Sequence, residues 1–161
     1  MHETPGDLRR LQDLLDRSYR NAGAHLRSII TPGRRVSARR LADRLVGVRL
    51  LTLATATSDG RPLSAPVDGL FYRGEFWFGS GHESLRFRHL RERPAVSATH
   101  TEGEAFAVTV HGRAIEIDIR RCPGFRDYCT EVYGPTWEVW GASAAYARIE
   151  ADRMFTFQAP V

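Results

Sequence analysis

Lysine is missing from this 161-residue sequence, so all 23 of its basic side chains are arginines. Nucleic-acid-binding proteins commonly use both residue types, and the complete absence of one indicates codon bias rather than recognition chemistry. Acidic residues are interspersed along the whole chain, and the net charge of +4 is modest. The charge therefore argues against a nucleic-acid partner, and it is equally compatible with an anionic small ligand.

Long apolar runs are missing as well. No stretch of about 18 apolar residues is available to span a bilayer, and residues 1–5 have no apolar segment of the kind that a secretion signal needs. We therefore expect a cytoplasmic protein without a membrane partner. A chain of this length forms one domain, and burying about two thirds of its unfolded surface gives it a core without covalent staples.

Cysteine is scarce, and its spacing excludes common metal and redox motifs. Cys122 and Cys129 lie seven residues apart, which is not the C-x-x-C spacing of a zinc or thiol-redox site. On a helix they would share one face, so we interpret both as small core residues. The histidines form no H-E-x-x-H pair, no persuasive Ser-His-Asp or Cys-His order occurs, and no G-x-G-x-x-G follows a strand.

The first 47 residues have helical periodicity. Apolar residues recur every three or four positions from residue 7 to residue 30, which predicts one amphipathic helix ended by Pro32 and Gly33. A second short helix is expected between a Ser37 cap and Gly47. This basic extension, residues 1–47, could cover a barrel end, extend a subunit contact or act as an interaction module.

The period changes to two after Gly47, which predicts a strand-rich unit over residues 48–161. Six strands are expected, at about 48–57, 62–67, 75–79, 95–101, 105–119 and 147–157, the last with a bend near Asp152. Pro62 and Pro66 lack N–H donors, so one edge of the second strand is not fully paired. Helices are expected over residues 80–92 and 122–133. A closed barrel avoids open sheet edges, so we predict an all-β core with flanking helices, an α+β fold.

The stretch that carries chemistry runs from the third strand into a helix, Phe-Trp-Phe-Gly-Ser-Gly-His-Glu-Ser-Leu-Arg over residues 76–86. Ser80 and Glu83 have capping-box spacing, so we expect the helix to begin after Ser80. Free N–H groups and the positive end of the helix dipole would then lie beside Ser84 and Arg86. This arrangement predicts an anion site, and an ordinary capped helix with solvated arginines is the alternative.

Two glycines and a second arginine lie near this predicted anion site. Gly79 and Gly81 would let the backbone approach a ligand closely. Arg88 lies about 200° from Arg86 around the helix, so both cannot easily hold one phosphate. We therefore expect Arg88 to belong to a solvated face or to a subunit contact.

The same stretch resembles a known family. The order of strand, Asp-Gly turn, two strands, then G-S-G-H-E-S-x-R and H-L-R-E-R-P resembles the FMN-binding split β-barrel family that includes pyridoxamine 5′-phosphate oxidase. The resemblance covers residues 45–120 and, more weakly, 140–158. It implies a six-stranded antiparallel split β-barrel and a homodimer that holds its cofactor in a cleft shared by both chains.

The resemblance also implies a set of cofactor-binding residues. Ser80, Ser84 and Arg86 would hold the phosphate of FMN, and the second strand would lie against the isoalloxazine ring, with its backbone bonded to the ring edge. The candidate set consists of Pro62, Ser64, Ala65, Pro66, Val67, Phe78, Gly79, Ser80, Ser84, Arg86 and Arg88. No residue is assigned as catalytic and no metal is expected.

Departures from the oxidase pattern argue against one candidate substrate, vitamin B6 phosphate. Leu85 stands where the oxidase has a second arginine, and Leu63 and Asp68 stand where its second strand has arginine and lysine. The R-x-H substrate motif is not found near Arg148 or Arg153. Because the phosphate of vitamin B6 would meet Asp68 rather than a cation, we do not expect it as the substrate.

The expected function is that of a flavin-dependent oxidoreductase transferring hydride to or from a small organic substrate. Two alternatives stay open. One is a reductase that uses the deazaflavin coenzyme F-420, whose longer anionic tail could be held by Arg61 or Arg88. The other is a non-catalytic flavin- or haem-binding protein, since some proteins of this fold handle haem.

Overall fold

The computed structural model describes residues 2–160. Its strands are β1 Val48–Ala56, β2 Pro62–Tyr72, β3 Glu75–Ser80, β4 Ala95–Glu102, β5 Phe106–Ile117 and β6 Ala145–Gln158. Its helices are α1 Pro5–Arg20, α2 Ala24–Ile29, α3 Ala38–Arg44, α4 Leu85–Glu92, α5 Pro123–Tyr133 and α6 Trp137–Trp140, with single 3-10 turns at Pro32–Arg34 and Ile119–Arg121.

The six strands close into one antiparallel barrel in the order β1-β2-β3-β6-β5-β4, which confirms the predicted fold class. Pairing is incomplete around β3. This short strand pairs with β2 only over residues 69–72 and with β6 only over residues 145–148. Among the described residues, the first half of β2 therefore has no strand partner on the side away from β1. The second half of β6 likewise has none on the side away from β5.

Helix α1 covers the free side of β6. The Tyr19 hydroxyl accepts a hydrogen bond from the Thr156 N–H at 2.9 Å, and the Ser18 hydroxyl accepts one from the Met154 N–H at 3.0 Å. These side chains satisfy the backbone donors of β6 that β3 does not reach. The apolar face of α1, with Leu15 fully buried, packs into the same core as the barrel interior.

A smaller aromatic cluster lies outside β3, beneath α5 and α6. Phe125 and Tyr128 of α5 are buried there with Trp137 and Tyr146. The Trp137 indole N–H donates to the Tyr146 hydroxyl at 3.1 Å, and that hydroxyl donates to the Gly141 carbonyl at 3.0 Å. This chain of hydrogen bonds fixes α6, an element that the sequence analysis did not predict.

The N-terminal helix differs from its prediction. The segment 7–30 forms two helices rather than one, because α1 ends at an Asn21 cap and Gly23 caps the start of α2. Asparagine and glycine are among the weaker helix formers. The second predicted helix is confirmed: the Ser37 hydroxyl accepts from the Arg40 N–H at the start of α3.

The predicted bend near Asp152 is a β-bulge. His111 of β5 lies opposite Arg153, and the next residue, Gly112, lies opposite Ala151, so Asp152 is the extra residue. Bulges of this kind bend a strand and increase its twist, which helps a small sheet to close.

Three further features concern membranes, cysteines and metals. None of the helices within residues 2–160 is long and apolar enough to cross a bilayer. Cys129 is buried in α5, Cys122 is half-buried at its start, and neither forms a disulfide. In the same part of the chain, no three metal-binding side chains lie together.

Candidate functional site

The helix after β3 begins five residues later than predicted. Ser80 is the last residue of β3 and pairs with Ala145, so the strand ladder holds it in extended conformation. The cap is Ser84, whose hydroxyl accepts a hydrogen bond from the Phe87 N–H at 3.3 Å. The prediction of a Ser80 cap and a helix from residue 80 was therefore wrong, whereas Ser84 and Arg86 do lie at the helix start.

A groove of about 390 Å³ separates the start of α4 from β1 and β2. Four predicted residues lie in its wall: Ser64 and Ala65 of β2, and Ser84 and Arg86 at the start of α4. The complete lining is Leu53, Thr55, Leu63, Ser64, Ala65, Ser84, Leu85, Arg86 and His89. The groove thus joins the two sequence segments that were predicted to share one ligand.

Arg86 is the chemically distinctive member of this groove. Its guanidinium is half-buried and donates to the Pro66 carbonyl at 2.9 Å. Within residues 2–160 it forms no ion pair, whereas Arg91 pairs with Glu116 at 2.8 Å and Arg44 with Glu102 at 2.6 Å. Burial without a carboxylate lowers the pKa of Arg86. An anion in the groove would supply the charge that the protein itself does not provide.

The start of α4 adds further donors to the groove. The first N–H groups of a helix have no partner inside the helix, so those of Leu85 and Arg86 are free. The Ser84 hydroxyl uses its oxygen as the cap and keeps its hydrogen available for donation. These donors and the Arg86 guanidinium all belong to residues of the groove lining, and the helix dipole favours negative charge at this end of α4.

His89 and Thr55 line the groove and were not predicted. Both are buried, and the Thr55 hydroxyl lies 3.1 Å from the His89 Nδ1. The helical spacing places His89 on the face of Leu85 and Arg86, and Thr55 continues the inward alternation of Leu51 and Leu53 in β1. Periodicity alone could therefore have identified both positions.

Strand β2 presents a free backbone edge to the groove. Residues 62–66 are all exposed, and β2 pairs with β1 on one side only until Gly69. Residues two apart in an antiparallel strand direct their N–H and C=O groups to the same neighbour. Because the Pro66 carbonyl points to Arg86 and not to β1, the N–H and C=O groups of Ser64 and Asp68 point the same way.

Seven of the eleven predicted cofactor-binding residues lie outside the groove lining: Pro66, whose carbonyl bonds to Arg86, Arg88 in an adjoining cavity, and five others. Val67 and Phe78 have their side chains in the barrel core, where the Phe78 ring lies 5.9 Å from that of Phe87. Pro62 is exposed at the start of β2, and Ser80 lies at the end of β3. For these residues, a ligand contact could involve only the backbone or the rim of the site. The fifth residue is Gly79.

Gly79 has a packing role that the sequence did not indicate. A Cβ at this position would lie 2.6 Å from the ring of Tyr146. The missing side chain therefore makes room for an aromatic ring of β6. Gly81, in contrast, has open space around it.

A basic cavity of about 720 Å³ adjoins the groove and shares Leu85 and His89 with it. Arg61, Arg88 and Arg93 lie in its wall, as does Arg91. Arg61 pairs with Asp59 at 2.9 Å and Arg93 with Glu92 at 2.7 Å. Arg88 is exposed and forms no ion pair among residues 2–160. The separation of Arg86 and Arg88 around α4 thus places them in two adjoining sites.

No protein-family model matches the chain, and no curated protein is similar to it in sequence. Solved structures with the same fold do exist. An FAD-binding protein from Mesorhizobium loti has a TM-score of 0.61 and 23% identity over 79% of this chain and 98% of its own. An F-420 reductase has a TM-score of 0.55 and 16% identity over 68% of this chain and 91% of its own.

A heme-binding protein from Mycobacterium smegmatis is similar too, with a TM-score of 0.56 and 16% identity. The match covers 73% of this chain and 56% of that protein. At these identities the comparisons show the fold, and the chemistry has to be argued from the residues of this chain. The chain is thus a closed six-stranded antiparallel split β-barrel with flanking helices.

Proposed function

We propose that this protein is a flavin- or deazaflavin-dependent oxidoreductase that holds the phosphate of its cofactor at the start of α4. The observation that carries the proposal is the half-buried Arg86, which has no carboxylate partner in the described chain and lies in a groove with free helix donors. Ten of the 23 arginines form an ion pair with an acidic side chain within residues 2–160. A buried cation without one matches a ligand that brings its own negative charge.

The remainder of the groove suits a planar ring system. The free edge of β2 offers the N–H and C=O groups of Ser64 and Asp68, which match the alternating donors and acceptors along a flavin ring edge. Leu63, 42% exposed, and Leu85, 49% exposed, give apolar surface beside that edge. Bound there, a flavin or deazaflavin would supply hydride transfer to or from a small organic substrate.

The second candidate is a cofactor with an anionic extension beyond its phosphate, which the basic cavity could bind. Arg88, which forms no ion pair within residues 2–160, and Arg61 line this cavity, which adjoins the groove that contains Arg86. FMN ends at its phosphate, whereas coenzyme F-420 and FAD continue past a phosphate with further negative charge. The structural neighbours, named as FAD-binding and as an F-420 reductase, are consistent with both extended cofactors.

The test is a binding titration of the purified protein with FMN, coenzyme F-420 and FAD, with riboflavin as the control that lacks a phosphate. We expect FMN to bind on the order of tenfold more tightly than riboflavin or better, because a charge-assisted hydrogen bond to phosphate is worth about 1.5–3 kcal/mol. Tighter binding of F-420 or FAD than of FMN would favour the extended cofactors. Equal affinity for riboflavin and FMN would overturn the proposal.

We also propose that a second copy of the chain completes the groove. The outward side chains of β1, β4 and β5 form a face without charges at its centre, comprising Leu50, Thr52, Ala54, Ser97, Thr99, Thr109 and His111. The polar groups on this face bond to one another: Thr99 to Thr109 at 3.0 Å, and Ser97 to His111 at 2.7 Å. Leu50, 60% exposed, joins this face to the free edge of β2.

A homodimer through this face predicts a mass of twice 18.2 kDa by light scattering. Thr99→Arg places a charge at the centre of the face and is expected to give a monomer, because an unpaired buried charge opposes association. Ile29→Glu, at an exposed apolar site on α2, is the matched control and leaves the dimer intact. A monomeric wild type at micromolar concentration would contradict the dimer.

A further inference from the structure

A second cleft lies apart from the cofactor groove and shares no lining residue with it. This cleft, of about 560 Å³, is bounded by α1, by the turn between β2 and β3, by the start of α5 and by β6. Its charged lining residues are Asp7, Arg10, Arg17, Arg73, Glu75, Arg148 and Glu150. The two sides of the cleft differ in charge balance.

The α1 side carries excess positive charge. The Asp7 carboxylate is buried, at 3% exposed, and forms ion pairs with both Arg10 and Arg73, the latter at 3.4 Å. The same carboxylate accepts the Thr4 N–H in the capping box of α1, so its oxygens are fully used. Arg17 is one further cation on this side, and within residues 2–160 it has neither an ion pair nor a side-chain hydrogen bond. The residues that line this side of the cleft thus include three guanidiniums and one carboxylate, of which Arg10 and Arg73 contact the carboxylate.

The sheet side of the cleft carries one cation, Arg148, and two carboxylates, Glu75 and Glu150. Arg148 donates to both oxygens of Glu75, at 2.9 and 3.1 Å, and lies 3.6 Å from Glu150. Burial raises the pKa of Glu75, with Glu150 adding to the increase and Arg148 opposing it. A ligand anion would be repelled from this side, so the free positive charge near Arg17 is where it would bind.

Arg73 is held in an unusual backbone conformation at the edge of the cleft. It has φ +57° and is followed by Gly74 with φ +84°, so both residues of this two-residue hairpin turn are left-handed. Such turns favour asparagine or aspartate before the glycine, and a long side chain there is uncommon. This conformation places the Arg73 guanidinium at the cleft, where it forms an ion pair with Asp7.

The bottom of the cleft is aromatic. The Trp77 and Phe125 rings lie 4.3 Å apart, and Tyr72 meets Trp77 edge to face at 5.5 Å. The Tyr72 hydroxyl forms no hydrogen bond among the described residues and reaches the start of α5, where a Cβ on Gly124 would come within 2.5 Å of it. The cleft therefore combines free cationic donors, one free hydroxyl and ring surface.

We propose that this cleft binds a small aromatic carboxylate, with the carboxylate on the Arg17 and Arg73 side and the ring against Tyr72 and Trp77. A carboxylate would neutralise the excess charge of the α1 side through charge-assisted hydrogen bonds. Its ring would cover aromatic surface at the bottom of the cleft. The site lies on the opposite side of β3 from the barrel interior and needs no flavin.

The test uses benzoate as the probe in an NMR titration of ¹⁵N-labelled protein, following the Gly74 amide and the Trp77 indole N–H. Benzyl alcohol and acetate are the matched probes that lack the charge and the ring. We expect benzoate to bind at least about tenfold more tightly than either, and Arg17→Gln to weaken it by about tenfold or more. Arg17 and Arg20 are both exposed residues of α1, but only Arg17 lines the cleft, so Arg20→Gln should leave benzoate affinity unchanged.

Two outcomes would overturn the proposal: benzoate that binds no more tightly than benzyl alcohol, and an Arg17→Gln variant that binds benzoate as the wild type does. A fold defect is recognised in the same spectra, because the amide pattern outside the cleft would change. The result is independent of the cofactor groove. FMN binding that survives Arg17→Gln, and benzoate binding that survives Arg86→Ala, would show two separate sites.

Discussion

Arg86→Ala is expected to weaken FMN binding by about 10- to 100-fold, equivalent to roughly 1.5–3 kcal/mol. The guanidinium is half-buried and has no carboxylate to neutralise it in residues 2–160, so much of its desolvation cost is already borne by the fold. A phosphate that meets this preorganised cation needs little rearrangement. The affinity is measured by fluorescence titration of the flavin at fixed ionic strength.

Riboflavin is the control ligand for this prediction, because it has the flavin ring without the phosphate. Without a phosphate, riboflavin should bind the wild type and Arg86→Ala with nearly equal affinity, since the lost interaction belongs to Arg86 and the phosphate together. A parallel loss of riboflavin and FMN would instead mean that Arg86→Ala damages the groove, because the bond to the Pro66 carbonyl is also removed. Arg86 would then be a structural residue and not an anion ligand.

Arg88→Ala separates the candidate cofactors. Arg88 lies in the basic cavity beyond the groove, on a different face of α4 from Arg86. FMN affinity should therefore change little in this variant. The affinity for an extended cofactor should fall, and more steeply at low salt, because exposed charges are less screened there.

The sequence was most informative where a local signal and a long-range constraint agree. Alternation in Val48–Ala56 and the two prolines of β2 predicted both the strands and the unpaired edge, because proline cannot donate to a ladder whatever surrounds it. Barrel closure then followed, since the remaining strands had no other way to satisfy their edges. Ser84 and Arg86 were predicted to lie near a helix start from a local pattern, and the structure places both there.

Errors arose where tertiary contacts overrule a local signal. Ser80 has ideal capping-box spacing with Glu83, yet pairing with Ala145 keeps it in β3 and transfers the cap to Ser84. The space that Gly79 leaves is filled by Tyr146, some seventy residues away in sequence, and this packing role has no local signal. The pairing of Ser80 and the packing of Tyr146 against Gly79 cannot be recognised from the sequence without knowing which strand lies beside β3.

Gly112→Ala is expected to lower the free energy of unfolding by about 3 kcal/mol, the upper end for overpacking a well-packed site. A Cβ on Gly112 would lie 2.1 Å from the Glu150 carbonyl oxygen and 2.9 Å from the Ala151 Cα. Both atoms are backbone of the paired strand β6, at the bulge around Asp152. Relief of the clash would require opening the β5–β6 ladder, because no flexible side chain can move aside.

Gly81→Ala is the matched control, since no atom lies within 4 Å of the Cβ that it would add. Its free energy of unfolding should stay within about 0.5 kcal/mol of the wild type. Urea denaturation of both variants at one protein concentration measures the difference, with the slope showing whether the folded state still buries the same surface. Equal midpoints for Gly112→Ala and Gly81→Ala would mean that β6 can shift at the bulge. The barrel would then be closed by helix α1 and by the core more than by the β5–β6 ladder.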